Sequence, residues 1–249
     1  MLRFTIIIIF FITIGCRNKN SDNIAVQDII DKSIEVSGGN LYRTCNISFA
    51  LRDVRYELEN STGRKILKRI INNDSTTILD ILKHNSFQRF INGNVVIVAD
   101  SMATKYSNSI NSVHYFAYLP YGLNDPAVNK KLLGETQIGD KLYYKVEVTF
   151  DEEDGGEDFD DIYIYWFNKE TFKPDYLAYE FNVNDGGTRF REAFNERIIK
   201  GIRFVDYNNY KAAAKISVYE LEALFKTKEL ELLSTILLED IEVNPDNCN

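Results

Sequence analysis

Between Asp151 and Asp161 the chain places eight carboxylates in eleven residues, in the run Asp151-Glu152-Glu153-Asp154-Gly155-Gly156-Glu157-Asp158-Phe159-Asp160-Asp161. A hard cation such as Ca²⁺ takes several oxygen ligands, so this density of carboxylates is the first place to look for metal chemistry. The spacing does not suit it. An EF-hand loop alternates its ligands before the glycine at its turn, whereas here four acids run together up to Gly155. Like charges packed this closely repel, and the stretch reads as a solvated hairpin loop that binds divalent cations weakly at best. No cofactor is expected.

His114 is the second candidate. With Ser109 or Ser112 it could form a nucleophile and base pair, but no GxSxG elbow is present and no acid is placed by spacing to orient the imidazole. A packed or capping role suits His114 better, so catalysis is not expected, although a hydrolase with an unrecognised site stays open. Arg189 and Arg191 share one face of a strand. Together they could hold a carboxylate or phosphate bidentately, or pair with Glu180 or the acidic loop. Cys45 and Cys248 could form a disulfide joining the two ends of the domain, or remain two thiols. Two cysteines and the scattered His84 and His114 do not make a zinc site.

The elements that position these residues are mostly strands. Leu142, Tyr144, Val146, Val148 and Phe150 alternate with Tyr143, Lys145, Glu147 and Thr149, a half-buried pattern. Ile162, Ile164 and Trp166 alternate with Tyr163, Tyr165 and Phe167, which leaves no polar face, so this strand is central and needs cover on both sides. Leu177, Tyr179, Phe181 and Val183 complete an antiparallel meander after the turn at Asn168 to Pro174. Thr188 to Lys200 fits helix or strand, and its setting between Gly186-Gly187 and Gly201 favours strand.

Earlier in the chain, Val26, Ile29, Ile30 and Ile34 form the stripe of a first helix that Gly38-Gly39 ends, with a cap candidate at Ser21, Asp22 or Asn23. The apolar phase shifts between Ile47-Phe49-Leu51 and Val54-Tyr56-Leu58, which predicts one long strand with a bulge near Arg52-Asp53. Arg64 to Ile71 and Thr76 to Leu82 read as strands. Phe87 to Ile91 and Val95 to Val98 flank Asn92-Gly93, a type I′ hairpin signal. After the cap candidates Ser107 and Asn108, a helix around Ile110, Val113 and Ala117 stops at Pro120, and Asp125-Pro126 predicts a second short helix through Val128 and Leu132 to Gly134. The final run, Leu230, Leu232, Ile236 and Leu238, shifts phase to Ile241 and Val243.

The expected architecture is mainly β (α+β). A single curved antiparallel sheet of nine or ten strands forms a half-barrel, with the N-terminal helix and the short helical insertion covering its concave face. At 249 residues, with 45% hydrophobic residues, the chain suits one domain. A net charge of -8 argues against nucleic acid as a partner.

The N-terminus predicts an address. Arg3 precedes an apolar run from Phe4 to Ile14 that is too short to span a bilayer, and Gly15-Cys16 follows. Thr13-Ile14-Gly15-Cys16 resembles a bacterial lipobox, although Thr13 stands where leucine is usual. The resemblance implies a signal peptide at residues 1–15, a palmitate-bearing lipid anchor on Cys16, a polar tether over 16–23 and a half-barrel domain at 24–249. Lipoproteins destined for the cell surface often carry an acidic run after the cysteine. Arg17-Asn18-Lys19-Asn20 has none, which implies the outer membrane on its periplasmic side.

The order of elements, with Tyr165-Trp166-Phe167-Asn168-Lys169-Glu170-Thr171 closing a strand and Pro174 opening the next, resembles the periplasmic lipoprotein carriers and their outer-membrane receptor. The stretches from Asn111 to Asp125 and from Arg189 to Asn195 are similar to an uncharacterised family of bacterial lipoproteins of the Bacteroidota type with that architecture. The resemblance implies a fold and an envelope location, and no activity or catalytic residues. From the residues, the aromatic segment around Tyr115, Phe116, Leu119 and Tyr121 covers the sheet. With Tyr144, Trp166, Tyr179, Arg189 and Arg191 it forms the expected contact set for a lipid or acyl chain. The competing reading is a structural or protein-interaction role with a filled core, possible envelope partners included.

Overall fold

The computed structural model describes residues 24–61, 64–84, 86–153, 159–182 and 186–244. Helix α1 (Val26–Ser37) and a one-turn helix α2 (Leu41–Thr44) lead into a first run of strands: β1 (Asn46–Leu51), β2 (Val54–Ser61), β3 (Arg64–Asn73), β4 (Thr76–Lys83), β5 (Ser86–Ile91) and β6 (Asn94–Val96). Helix α3 (Asp100–Ala117) and a 3₁₀ turn (Tyr121–Asn124) then lead to β7 (Val128–Ile138), β8 (Lys141–Phe150), β9 (Ile162–Asn168), β10 (Pro174–Phe181), β11 (Gly187–Ile199) and β12 (Ile202–Lys211). A 3₁₀ turn (Val218–Glu220), helix α4 (Leu221–Thr227), β13 (Glu231–Ile236) and β14 (Glu239–Asn244) complete the described chain.

The expected mainly β, open antiparallel architecture with helical cover is observed. Its hydrogen bonding divides where a single sheet was expected. Among the described residues there are fourteen strands in two seven-stranded sheets, ordered β14-β1-β2-β3-β4-β5-β6 and β13-β12-β11-β10-β9-β8-β7. Consecutive strands pair as hairpins except where the chain changes sheet, which it does twice: through α3 between β6 and β7, and through the corner between β13 and β14. Asp206 on β12 holds that corner, accepting from Leu238 N (2.9 Å), Arg197 Nη1 (2.7 Å) and Asn195 Nδ2 (2.6 Å). Burial raises its carboxyl, but these hydrogen bonds and the Arg197 charge outweigh burial and hold it below the usual range.

Three local expectations give way. Helix α3 begins at Asp100, with Ala99 at the N-cap position, so the cap candidates Ser107 and Asn108 lie inside it. At Arg52-Asp53 the chain makes a tight turn, with Arg52 at φ 56° and Leu51 opposite Val54, so the phase shift marks a hairpin between two strands. The stretch from Asp125 to Gly134 is no helix; β7 runs from Val128, pairing Val128 with Phe150 and Leu132 with Val146. A spacing of four is a multiple of two, so Val128 and Leu132 share a strand face as well as a helix face, and β8 provided the partner that decided it. The Asn92-Gly93 turn is as expected, with φ 47° and 80°. The cap candidates before α1 lie outside the described residues; the N-cap position is Ala25, with no side-chain cap.

The demand for cover on both faces of β9 is met by two different layers. Tyr163, Tyr165 and Phe167 pack with Ile29 and Ile30 of α1 and with Leu119 and Leu123 beyond α3. On the opposite face Ile164 and Trp166 pack with Val218 and Leu221 at the start of α4. A third cluster joins the first sheet to α3 through Phe49, Tyr56, Leu67, Ile110 and Tyr118. Helix α3 therefore lies between the sheets, with Ile110 and His114 buried among first-sheet residues and Tyr115 and Phe116 reaching the second.

Candidate functional site

Where α3 passes from one sheet to the other, a cleft of about 330 Å³ remains between them. Leu67 and Lys65 of β3 form one side, and Val128, Phe150 and Tyr163 of β7 to β9 form the other. Asn108, Asn111, Ser112, Tyr115 and Phe116 of α3 lie between, followed by Tyr118, Tyr121 and Gly122. The aromatic rings hold one another. Phe150 stands edge-on to Tyr163 at 5.6 Å, Tyr115 edge-on to Phe150 at 6.1 Å, and Phe116 tilts over Tyr163 at 6.2 Å.

Gly122 makes the corner possible. A Cβ there would sit 2.6 Å from the Tyr115 ring, so only glycine lets that ring lie against the turn. Lys65 Nζ lies 5.5 Å from the centre of the Tyr121 ring. Asp125, also on the cleft, has its carboxyl raised by burial, against the opposing charges of Lys65 and Lys130.

His114 is a packing residue. Its Nδ1 meets the Tyr118 hydroxyl at 3.2 Å and its Nε2 the Lys68 carbonyl at 3.4 Å, with the Phe49 and Tyr56 rings edge-on. Burial lowers its pKa to about 4 against the opposing hydrogen bond to the Lys68 carbonyl, so the imidazole is neutral at pH 7. Ser109 accepts from Arg69 Nη1 at 3.2 Å, and both His114 ring nitrogens face Tyr118 and Lys68, so the imidazole is paired with neither Ser109 nor Ser112. Among the described residues no group of three or more His, Cys, Asp or Glu could hold a metal. Residues 154–158 of the acidic loop lie outside the described set. Of the described remainder, Asp151 accepts from Asn129 and Asp160 from Asn182.

The structure brings together only part of the expected contact set. Tyr115, Phe116 and Tyr121 line the cleft. Leu119 is buried in the core with α1. Tyr144 stacks on Phe172 at 6.1 Å, away from the cleft lining. Trp166 is on the opposite face of β9 from Tyr163, fully buried and donating from Nε1 to Glu222 at 3.2 Å. Tyr179 stacks on Tyr163 at 5.5 Å, one layer behind the cleft wall, and accepts from Arg191 Nη2 at 2.9 Å. Arg189 lies over Phe181 at 5.1 Å. Glu180, one of the partners the sequence offered these arginines beside the acidic loop, accepts from Val218 N. Cys45 is buried and disulfide-bonded. Cys16 and Cys248 lie outside the described residues.

Sequence reasoning did not single out Lys65, Leu67, Phe150 or Asp125. Phe150 and Leu67 carried a signal as inward positions of strands and Asp125 one as a helix cap, but nothing in the local pattern of Lys65 marks it, because the two sheets meet only in three dimensions.

The class defined by this fold is an open, two-sheet antiparallel protein with a helix running between the sheets and an aromatic cleft beside it. The sequence matches the model of a family of unknown function (DUF6503) over residues 5–240, and the chain belongs to that family. No functionally curated protein matches it. Among solved structures it is similar to a LolA superfamily protein of Nitrosomonas europaea, at 15% identity and TM-score 0.48, covering 89% of this chain and 94% of that one. A DUF1329 family protein of Desulfovibrio piger gives 11% identity and TM-score 0.44, covering 88% and 91%. The lipoprotein LppX of Mycobacterium tuberculosis gives 9% identity and TM-score 0.29, covering 63% and 88%. Among the described residues no helix is long and apolar enough to cross a membrane.

Proposed function

We propose that this chain is an envelope lipoprotein, anchored through Cys16 to the outer membrane on its periplasmic side, that binds a single acyl chain or a similar apolar group in the cleft. The observation supporting this reading is the cleft itself. Its volume of about 330 Å³ is at the lower end of the roughly 300 to 1,000 Å³ of small-molecule sites. Tyr115, Phe116, Tyr118, Tyr121, Phe150 and Tyr163 supply aromatic walls, the mixture of apolar surface with a few polar groups that such sites use. The rings are packed on one another, so a ligand must displace part of that contact and affinity is moderate. Cys248 is the proposed partner of Cys45.

Native mass spectrometry of full-length protein purified from membranes, with titration of a fluorescent fatty acid, tests the proposal. Co-purifying lipid or saturable binding, weakened by Phe116→Asp in a variant that still unfolds cooperatively, is the expected result. Absence of both leaves a structural or protein-interaction role for the aromatic segment. Mass spectrometry of the N-terminal peptide tests the anchor: an unmodified Cys16, or cleavage elsewhere, removes that part of the proposal.

A further inference from the structure

Among the described residues, five of the seven buried or half-buried arginines are paired with acids. Arg69 and Arg89 share Asp80 at 2.7 Å each, Arg197 holds Asp206 at 2.7 Å, and Arg203 holds Glu196 at 2.6 Å. Arg55 contacts Glu57 and Glu242 at 3.1 and 3.2 Å. With 37 acidic residues against 29 Lys and Arg, acids are in surplus. Yet Arg189 and Arg191, both half-buried, have no carboxylate partner among the described residues. Arg189 donates from Nη1 to the Thr188 carbonyl, and Arg191 from Nη2 to the Tyr179 hydroxyl.

The Arg191 guanidinium is otherwise held by rings. It lies 4.3 Å from the centre of Phe116 and 5.0 Å from that of Tyr179. Its Nε is buried with no hydrogen-bond partner among the described residues, and so is Oδ1 of Asn209, the residue opposite Arg191 on β12. A buried donor left without a partner is costly, and a guanidinium fixed by stacking keeps its fork ready for an oxyanion. Phe116 touches both places: one wall of the cleft is the ring on which Arg191 stacks.

We propose that Arg191, assisted by Arg189 on the same strand face, receives the oxyanion head of an amphiphile whose apolar tail occupies the cleft, so that the ligand is an anionic lipid or fatty acid. This inference rests on the reading of the cleft as an acyl site. Lys65 lines the cleft itself, but both it and the nearby Lys130 act on Asp125, whose carboxylate offsets their charge toward an anion.

The test compares dodecanoic acid with dodecanol by displacement of a fluorescent fatty alcohol from the full-length protein. Lysophosphatidic acid and inorganic phosphate serve as the phosphate-headed and tailless arms. A charge-assisted bond to the head predicts that the acid binds about tenfold or more tighter than the alcohol. Arg191→Gln should remove that preference, so that acid and alcohol bind equally, and Arg191→Lys should keep part of it. If Arg191→Gln does not fold, Arg189→Gln should reduce the preference by a smaller factor. Preference for lysophosphatidic acid over dodecanoic acid assigns the head as phosphate, and the reverse assigns it as carboxylate. Competition by inorganic phosphate alone, with no dependence on a tail, overturns the amphiphile. Equal binding of acid and alcohol, or a preference abolished by Lys65→Gln and retained in Arg191→Gln, overturns the head-group site while the acyl cleft stands. Binding of neither overturns both.

Discussion

Replacing Glu222 by Gln tests how the outer layer is held on the second sheet. Glu222 is in the first turn of α4, 8% exposed, and receives Lys145 Nζ at 2.8 Å, Lys226 Nζ at 2.5 Å, Thr136 Oγ1 at 2.5 Å and Trp166 Nε1 at 3.2 Å. Burial alone would raise its carboxyl, but the hydrogen bonds from Lys145, Lys226 and Thr136, with the Lys145 charge, hold it at about 2 against an ordinary 4.5. At 1.36 kcal/mol per pH unit that difference corresponds to about 3.4 kcal/mol. Lys226 is 36% exposed and solvent screens its share, so we expect a cost of about 2 kcal/mol at pH 7. Because the folded value is depressed, this stability is fully present above pH 4.5 and is lost as pH falls toward 2. Urea unfolding of wild type and variant at pH 7, 5, 4 and 3 reads the difference, which should shrink across the acid range. Trp166 is the one tryptophan in the chain, so its fluorescence reports the contact directly. Equal midpoints at pH 7, or two pH profiles that stay parallel down to pH 3, would refute the argument.

Asp80→Asn should cost about 3 kcal/mol, because it leaves the Arg69 and Arg89 guanidiniums beneath α3 without their counter-ion; a urea midpoint that does not move contradicts it. His114 should stay neutral in NMR titrations until pH nears 4. Its depressed value adds stability above pH 6.5 that is lost as pH falls toward 4, so His114→Gln should flatten the pH dependence in that window, and a midpoint near 6.5 would show the ring to be solvated. Gly122→Ala should cost about 1 to 3 kcal/mol by pressing on the Tyr115 ring, and it should change acyl affinity as well. Unchanged thermal stability would mean that the ring yields freely.

Local patterns determined much of this protein. The alternation through Ile162 to Phe167 specified a central strand with two buried faces, and both covers are present. Asn92-Gly93 specified a turn through its tolerance of positive φ, and the α1 stripe specified the helix that packs Ile29 and Ile30 on the second sheet. These are effects of side-chain period and backbone conformation, both carried within a few residues. What local pattern left ambiguous, tertiary partners resolved. Val128 and Leu132 suit a helix or a strand, and β8 made them a strand.

The division into two sheets depends on the corner held by Asp206 of β12, whose partners come from β11 and from Leu238 after β13. Trp166 shows the same limit at the site. Alternation placed it on a face but could not say which face is inner, and α4 covers that face while the cleft opens on the other. Lys65, Leu67 and Phe150 meet around α3 although more than eighty residues separate the β3 pair from Phe150. Such a cleft is made by the packing of two sheets about one helix, and no local period encodes where surfaces so far apart in the chain leave space.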